Sequence, residues 1–184
     1  MENILFVNAC VRPESRTRRL AEAALAQLDG EVETLSLGAE RIPPLDAERL
    51  AARDRLCAAR DYGAPMLRYA RQLAACDTLV VAAPYWDLCF PALLKCWLEA
   101  VCVGGVTFHY GEDGTPRTHC RTRRLLYVTT AGGYLGDRNF GFEYVKALAE
   151  AFFGVKESRL IAAEGLDILG NDPEAILQTA IAGI

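Results

Sequence analysis

The chain has 184 residues, 52% of them hydrophobic and 24% charged, and its formal net charge is −4. Length and composition predict a single folded domain over residues 1–184 and exclude a disordered chain. The slightly negative charge, with arginines scattered along the chain, argues against nucleic acid as a partner.

No stretch reaches the about 20 apolar residues that are needed to cross a bilayer, so no membrane partner is expected. The N-terminus leads directly into a strand pattern, without the basic and apolar regions of a secretory signal. The seven cysteines are odd in number, include no C-x-x-C pair and lie mostly in apolar contexts. These features favour buried free thiols over disulfides or a metal site, and they predict a cytoplasmic protein.

Strand and helix patterns alternate along the chain. In chain order they predict a strand at 4–8, a helix after Ser15, a strand at 32–37, a helix from Asp46 to about Arg60, a helix at 65–75 and a strand at 77–84. They continue with an apolar helix at 90–103, a hairpin at 105–118, an apolar strand that ends in a small-residue loop over 125–133, a helix at 140–153, a strand at 156–163 and a helix from Asp172. This alternation predicts an α/β fold in which helices cover both faces of a parallel sheet.

Three loops follow predicted strands and carry residues suited to ligand binding: 9–17, 84–90 and 130–134. In an open parallel sheet, ligands bind beyond the carboxyl ends of the strands, where the strand order reverses. The three loops converge only if the first, third and fourth strands are neighbours. The sequence therefore predicts a five-stranded sheet of order 2-1-3-4-5.

The first loop, NACVRPESRT at 8–17, allows more than one interpretation. Ser15 and Thr17 hydroxyls, free amides of the helix N-terminus and nearby arginines would suit an anion, although an ordinary capped helix has the same pattern. Cys10 and Arg16 also have the C-x5-R spacing of a cysteine-dependent phosphatase. Asp172-Pro173 resembles the Asp-Pro pair of low-molecular-weight tyrosine phosphatases, in which the Asp is the general acid. Pro13 argues against this second reading, because it offers no N–H to a loop that wraps phosphate in amides.

The second and third loops suit a planar ring. In APYWDLCFP, Tyr85 and Trp86 can cover a ring while the amides of 86–88 meet its polar edge. In TTAGGY, Gly132 and Gly133 permit close backbone approach. Packing at an interface and a plain tight turn remain the alternatives for these two loops.

The helix at 90–103 is apolar nearly all round, with Lys95 and Glu99 as the main exceptions. A helix of this kind is buried on more than one side. Both a core position and contact with a partner subunit fit the pattern.

The block APYWDLCFPALLKCWLEAVCVGGVTFHY at 83–110, with SRT at 15–17, IPPLD at 42–46 and TTAGG at 129–133, resembles the FMN-dependent NADH:quinone oxidoreductase and azoreductase family. The resemblance covers most of the chain. It implies a flavodoxin-like three-layer sandwich, a bound FMN and a homodimer with its active sites at the subunit interface. It also implies ping-pong transfer of two electrons from NADH or NADPH to a quinone, azo or similar aromatic acceptor.

By the same resemblance, the phosphate of FMN would be held by the first loop and the isoalloxazine by the second and third. The implied cofactor-binding residues are Cys10, Ser15, Arg16, Thr17, Pro84, Tyr85, Trp86, Asp87, Leu88, Thr130, Ala131, Gly132 and Gly133. No catalytic side chain is expected, because flavin N5 is the reactive centre, and Trp86 and Tyr134 would shape the acceptor slot.

Three residues depart from the family pattern. Cys10 stands where a phosphate-contacting Ser is common, and a thiol is a weaker hydrogen-bonding group. Ala131 replaces an Arg often found before the two glycines. Asp87 stands where Asn is common, and its negative charge would lower the flavin potential or repel acidic substrates.

Two other functions remain as alternatives. A flavodoxin-type electron carrier would bind FMN without turnover of its own, but such carriers are strongly acidic, unlike this chain. A low-molecular-weight phosphatase would use Cys10 and Arg16, but it would make no use of the second and third loops.

Overall fold

The computed structural model describes residues 1–184. It contains a five-stranded parallel sheet, a two-stranded hairpin and helices on both faces of the sheet. The strands are β1 Glu2–Asn8, β2 Gly30–Ser36, β3 Thr78–Ala82, β4 Phe108–Tyr110, β5 Pro116–Thr118, β6 Arg124–Thr130 and β7 Glu157–Ala163. The helices are α1 Arg16–Leu25, α2 Leu37–Glu40, α3 Ala47–Ala58, α4 Arg68–Ala75, α5 Ala92–Val101, α6 Phe140–Leu148 and α7 Pro173–Ala182.

The order of the sheet is β2-β1-β3-β6-β7, and every neighbouring pair is parallel. Counted over the sheet strands alone, this is the predicted order 2-1-3-4-5, which is confirmed. The chain leaves β1 first towards β2 and then returns to β3 on the other side. The order therefore reverses between β1 and β3, and the loops after these strands open at the same edge.

Alternate side chains of each central strand point into two different hydrophobic clusters. In β1, Leu5 and Val7 join the larger cluster, where they meet α4, α5 and α6. Ile4 and Phe6 join the smaller cluster, where they meet α1 and α7. All five residues of β3 are buried, as expected for the middle strand of a sheet that is covered on both faces.

The predicted helix starts agree with the capping observed. The Ser15 hydroxyl accepts a hydrogen bond from the Arg18 N–H at 3.3 Å, which caps α1. Asp46 caps α3 and Asp172 caps α7 in the same way. The hairpin β4–β5 is antiparallel and encloses the Gly111–Gly114 turn, also as predicted.

Some boundaries differ from the prediction. The strand expected over 77–84 ends at Ala82, so Pro84 lies in the loop. The strand expected at the start of 125–133 ends at Thr130, before the glycines of its small-residue loop. The helix expected over 65–75 begins with a 3-10 turn at Pro65–Leu67, and the helix expected over 140–153 ends in a π turn at Ala149–Phe153. The short helix α2 was not predicted, because four residues are too few to show a helical period.

No helix combines the length and the apolar character that a membrane span requires. The seven cysteines are free thiols. Burial raises the pKa of Cys76 and Cys102 to about 11 and that of Cys120 to about 12, so these groups remain protonated at neutral pH.

Candidate functional site

A cleft of about 260 Å³ opens at the carboxyl edge of the sheet, between the loops that follow β1, β3, β6 and β7. Nine of the predicted site residues line it. They are Ser15, Arg16, Thr17, Pro84, Tyr85, Trp86, Thr130, Ala131 and Gly132. The predicted convergence of three loops is therefore present in the structure.

The first loop presents the N-terminus of α1 to the cleft. Ser15 and Thr17 are buried, at 6% and 1% exposure, yet both border the cleft. The N–H groups of Arg16 and Thr17 have no acceptor within the chain, whereas those of Arg18 and Arg19 donate to Ser15. Unpaired N–H groups at the positive end of a helix dipole favour an anion.

A hydroxyl pair joins the first loop to the third. Thr17 Oγ1 lies 2.6 Å from Thr130 Oγ1 at the end of β6. Beyond Thr130, the N–H groups of Gly132 and Gly133 have no acceptor within the chain, whereas the carbonyls of 131–133 accept hydrogen bonds from residues 165–167. The third loop is thus held by its carbonyls and keeps two amide donors free.

The second loop is a two-residue turn closed by Trp86 and Cys89, whose backbones exchange hydrogen bonds of 3.1 and 2.8 Å. Asp87 and Leu88 at its tip have φ values of 51° and 67°, in the left-handed region. The Tyr85 hydroxyl donates to the Arg138 carbonyl at 2.8 Å. This anchors the aromatic wall of the cleft while the turn projects outwards.

The cleft also has residues that the sequence did not single out. Val11, Glu14, Leu166 and Asp167 line it, together with Arg12. Asp167 is the most important of them, because its Oδ1 lies 3.0 Å from the Arg16 guanidinium. Leu166 and Asp167 follow the last sheet strand, β7, so their loop opens at the same edge of the sheet as the other three.

Comparison with known proteins agrees with this architecture. The family described as Flavodoxin-like fold matches residues 2–184. The chain is 31% identical to the FMN-dependent NADH:quinone oxidoreductase 2 of Clostridium acetobutylicum, over 98% of this chain and 95% of that protein. It is 33% identical to the FMN-dependent NADH:quinone oxidoreductase of Lachnoclostridium phytofermentans, over 95% and 92% of the two chains.

This chain belongs to the FMN-dependent NADH:quinone oxidoreductase family. Solved structures support the same fold. An azoreductase from Bacillus anthracis superposes with a TM-score of 0.85 at 22% identity, covering 100% of this chain and 96% of that one. An FMN-dependent NADH-azoreductase from Bacillus anthracis, solved in complex with FMN, gives a TM-score of 0.81 at 21% identity, with 100% and 95% coverage.

Against the expectation for a member of the quinone oxidoreductase family, Cys10 does not line the cleft. Its N–H donates to Asn8 Oδ1 at 2.9 Å, and its Sγ approaches the Ala82 carbonyl at 3.8 Å. Burial is the main cause that raises the pKa of this thiol, so it remains protonated. This argues against the phosphatase alternative, which needs a thiolate in the cleft, and Asp172, its expected acid, caps α7 and does not line the cleft.

Four further predicted residues lie outside the cleft lining: Asp87, Leu88, Gly133 and Tyr134. Leu88 and Tyr134 are exposed, at 42% and 72%. They belong to the second and third loops, which also supply the walls of the cleft. Their roles in flanking the FMN ring and, for Tyr134, in shaping the acceptor slot stay predictions for this member of the quinone oxidoreductase family.

Proposed function

We propose that this chain is an FMN-dependent oxidoreductase that takes two electrons from NADH or NADPH and passes them to a quinone, azo or similar aromatic acceptor by a ping-pong mechanism. One observation carries the proposal. A single cleft combines the anion-binding end of α1, an aromatic wall at Tyr85 and Trp86, and the free amides that begin at Gly132. Family membership adds independent support.

The first loop fits a phosphate monoester. Arg16 and Thr17 offer unpaired backbone N–H groups, the Thr17 and Ser15 side chains offer hydroxyls, and Arg12 lines the cleft. These groups would hold the phosphate of FMN by charge-assisted hydrogen bonds. Because the Cys10 thiol is directed to Ala82, it would contribute packing below the loop and no contact with phosphate.

The second and third loops fit the ring system. Pro84, Tyr85 and Trp86, with Asp87 and Leu88 at the turn, would flank the isoalloxazine, and Thr130, Ala131, Gly132 and Gly133 would follow its pyrimidine edge. The bound FMN supplies the electron chemistry at its N5. The free N–H groups of Gly132 and Gly133 would stabilise negative charge on the pyrimidine edge, and no side-chain acid or base is required.

The acceptor would reach the exposed mouth of the cleft. Trp86 is 38% exposed and Tyr134 is 72% exposed, so both can contact an aromatic acceptor. Asp87 would place a negative charge beside it. This favours neutral acceptors over anionic ones.

Exposed apolar side chains beside the cleft support a homodimer. Phe140 and Tyr144 of α6 are 55% and 41% exposed, and together with Phe90 and Cys89 they form an apolar groove. α5 contributes less than its sequence suggested, because Leu94, Trp97, Leu98 and Val101 are buried within the chain. A homodimer formed across the groove would place the partner next to the second loop. Sedimentation equilibrium should then give twice the mass of one chain.

A spectral titration tests the function. Purified protein mixed with FMN should show the absorption of a bound flavin, and anaerobic NADH or NADPH should bleach it. A small quinone such as menadione should then restore the colour. Protein that binds no FMN would contradict the proposal, and FMN that no nicotinamide reduces would favour the electron carrier.

A further inference from the structure

The Arg16 guanidinium already has a carboxylate partner inside the cleft. One of its amino groups donates to Asp167 Oδ1 at 3.0 Å, and the other donates to the Leu166 carbonyl at 3.4 Å. The side chains of Arg16 and Asp167 are 33% and 66% exposed, so both remain accessible to a ligand. The family resemblance implies that Arg16 holds the phosphate of FMN, so its guanidinium is already engaged by an anion of the chain itself.

Backbone hydrogen bonds fix Asp167 in this position. Its N–H donates to the Gly132 carbonyl at 2.9 Å, and the Leu166 N–H donates to the Ala131 carbonyl at 3.1 Å. A Cβ atom added to Gly132 would collide with the Asp167 carboxylate. The carboxylate thus lies against the third loop on one side and against Arg16 on the other.

We infer that Asp167 is an internal counter-anion that competes with the phosphate of FMN for Arg16, and so sets both the affinity for FMN and the preference for FMN over riboflavin. The inference rests on the proposed function. Asp167 acts through Arg16, as a positioning residue.

The competition follows from charge and geometry. A phosphate monoester carries about −1.5 to −2 charges at pH 7, and a guanidinium fork pairs best with one such anion at a time. When phosphate takes Arg16, the Asp167 carboxylate loses its partner and repels the phosphate. Riboflavin has no phosphate, so its binding leaves the Arg16–Asp167 pair intact. Glu14 also lines the cleft, but it makes no ion pair with Arg16.

Asp167→Asn tests the inference, since it removes the charge and keeps the shape. Apo-protein is titrated into FMN and, separately, into riboflavin, and the dissociation constants are read from flavin fluorescence. The variant should bind FMN about 3- to 10-fold more tightly, as expected for an ionic contact at a partly exposed site. Its affinity for riboflavin should stay within about twofold, because no phosphate is involved.

Asp29→Asn is the matched control. It makes the same change in net charge at an exposed residue just before β2, at the opposite edge of the sheet. This variant should bind both flavins as the wild type does. Circular dichroism verifies that the variants are folded. Asp167→Ala is a second variant, which removes the charge without introducing the side-chain amide of Asn.

The outcomes separate the inference from the proposed function. If the wild type binds FMN and both Asp167 variants bind it equally or less tightly, the inference is overturned and the function stands. Equal gains for FMN and riboflavin would also overturn it, because they would indicate relief at the ring and not at the phosphate. If no protein binds FMN, both proposals fail.

Discussion

Cys10 and Gly132 show how single residues determine what the cleft can bind. Cys10 is placed directly after β1, but its thiol turns to the Ala82 carbonyl and burial keeps it protonated. Gly132 lines the cleft without a side chain, and the Asp167 carboxylate occupies the space that a Cβ atom would need. Each residue leads to a separate experiment.

Replacing Cys10 with Ser should leave FMN binding and nicotinamide oxidation within about twofold of the wild type, because the side chain is packed away from the cleft and Ser is similar in size. Flavin content after purification and steady-state rates measure this. A phosphatase would instead hydrolyse p-nitrophenyl phosphate and lose that turnover in the variant. Such a result would support the phosphatase alternative, against which the half-buried, protonated thiol argues.

Gly132→Ala and Gly133→Ala form a matched pair in the third loop. The first should lower the free energy of unfolding by about 0.5–1 kcal/mol, because the new methyl group displaces the exposed Asp167 carboxylate and weakens its ion pair with Arg16. The second should change it by less than about 0.5 kcal/mol, because nothing lies within 4 Å of its added Cβ. Urea unfolding measures both. Equal losses would contradict the placement of Asp167 over Gly132.

At the scale of the element, the turn between Trp86 and Cys89 stores backbone strain. Asp87 and Leu88 both have positive φ, a conformation in which a side chain costs about 1 kcal/mol or more. Two-residue turns of this hand are normally made by Asn and Gly. The strain is held beside the cleft by the Trp86–Cys89 hydrogen bonds.

Leu88→Gly should therefore stabilise the fold, raising the melting temperature by about 2–4 °C for a gain of about 1 kcal/mol. Leu169→Gly is the control, because Leu169 is fully exposed in a turn but does not have positive φ. Glycine at position 169 should lower the melting temperature, since it increases the conformational entropy of the unfolded chain and relieves no strain in the folded one. A similar shift in both variants would count against strain at Leu88.

At the scale of the whole molecule, two ion pairs connect α1 with the C-terminal part of the chain. Arg16 pairs with Asp167, and Arg19 pairs with Glu174 on α7 through hydrogen bonds of 2.9 and 2.6 Å. The Arg19 hydrogen bonds, with one from Gln178, lower the pKa of Glu174 to about 2. This links the stability of the fold to pH.

The direction of the pH effect follows from the lowered pKa. The unfolded chain binds a proton at Glu174 near its ordinary pKa of 4.5, whereas the folded chain does so only near 2. The stabilisation is present above about pH 4.5 and is lost as the pH falls towards 2. Glu174→Gln should therefore flatten the fall in melting temperature over this range. Glu48→Gln, at an exposed residue of α3 outside any ion pair, should leave the slope unchanged.

Local sequence patterns determined most of the strands, helices and helix caps of this protein. The apolar run of β1, the fully buried β3 and the caps at Ser15, Asp46 and Asp172 depend on residues that are close in sequence. The strand alternation and the reversal rule then predicted the order of the sheet and the meeting of three loops. The family resemblance added the cofactor, which no local pattern specifies.

Other features were decided only by the tertiary structure. The partner of Arg16 lies 151 residues further along the chain, and the direction of the Cys10 thiol depends on β3 packing beside it. The left-handed turn at Asp87 and Leu88 runs against the preferences of both residues, so only its surroundings can impose it. The sequence by itself determined the elements and their order, because backbone propensity and burial act between near neighbours. Packing decided which charges meet in the cleft, because that depends on distances between residues far apart in the chain.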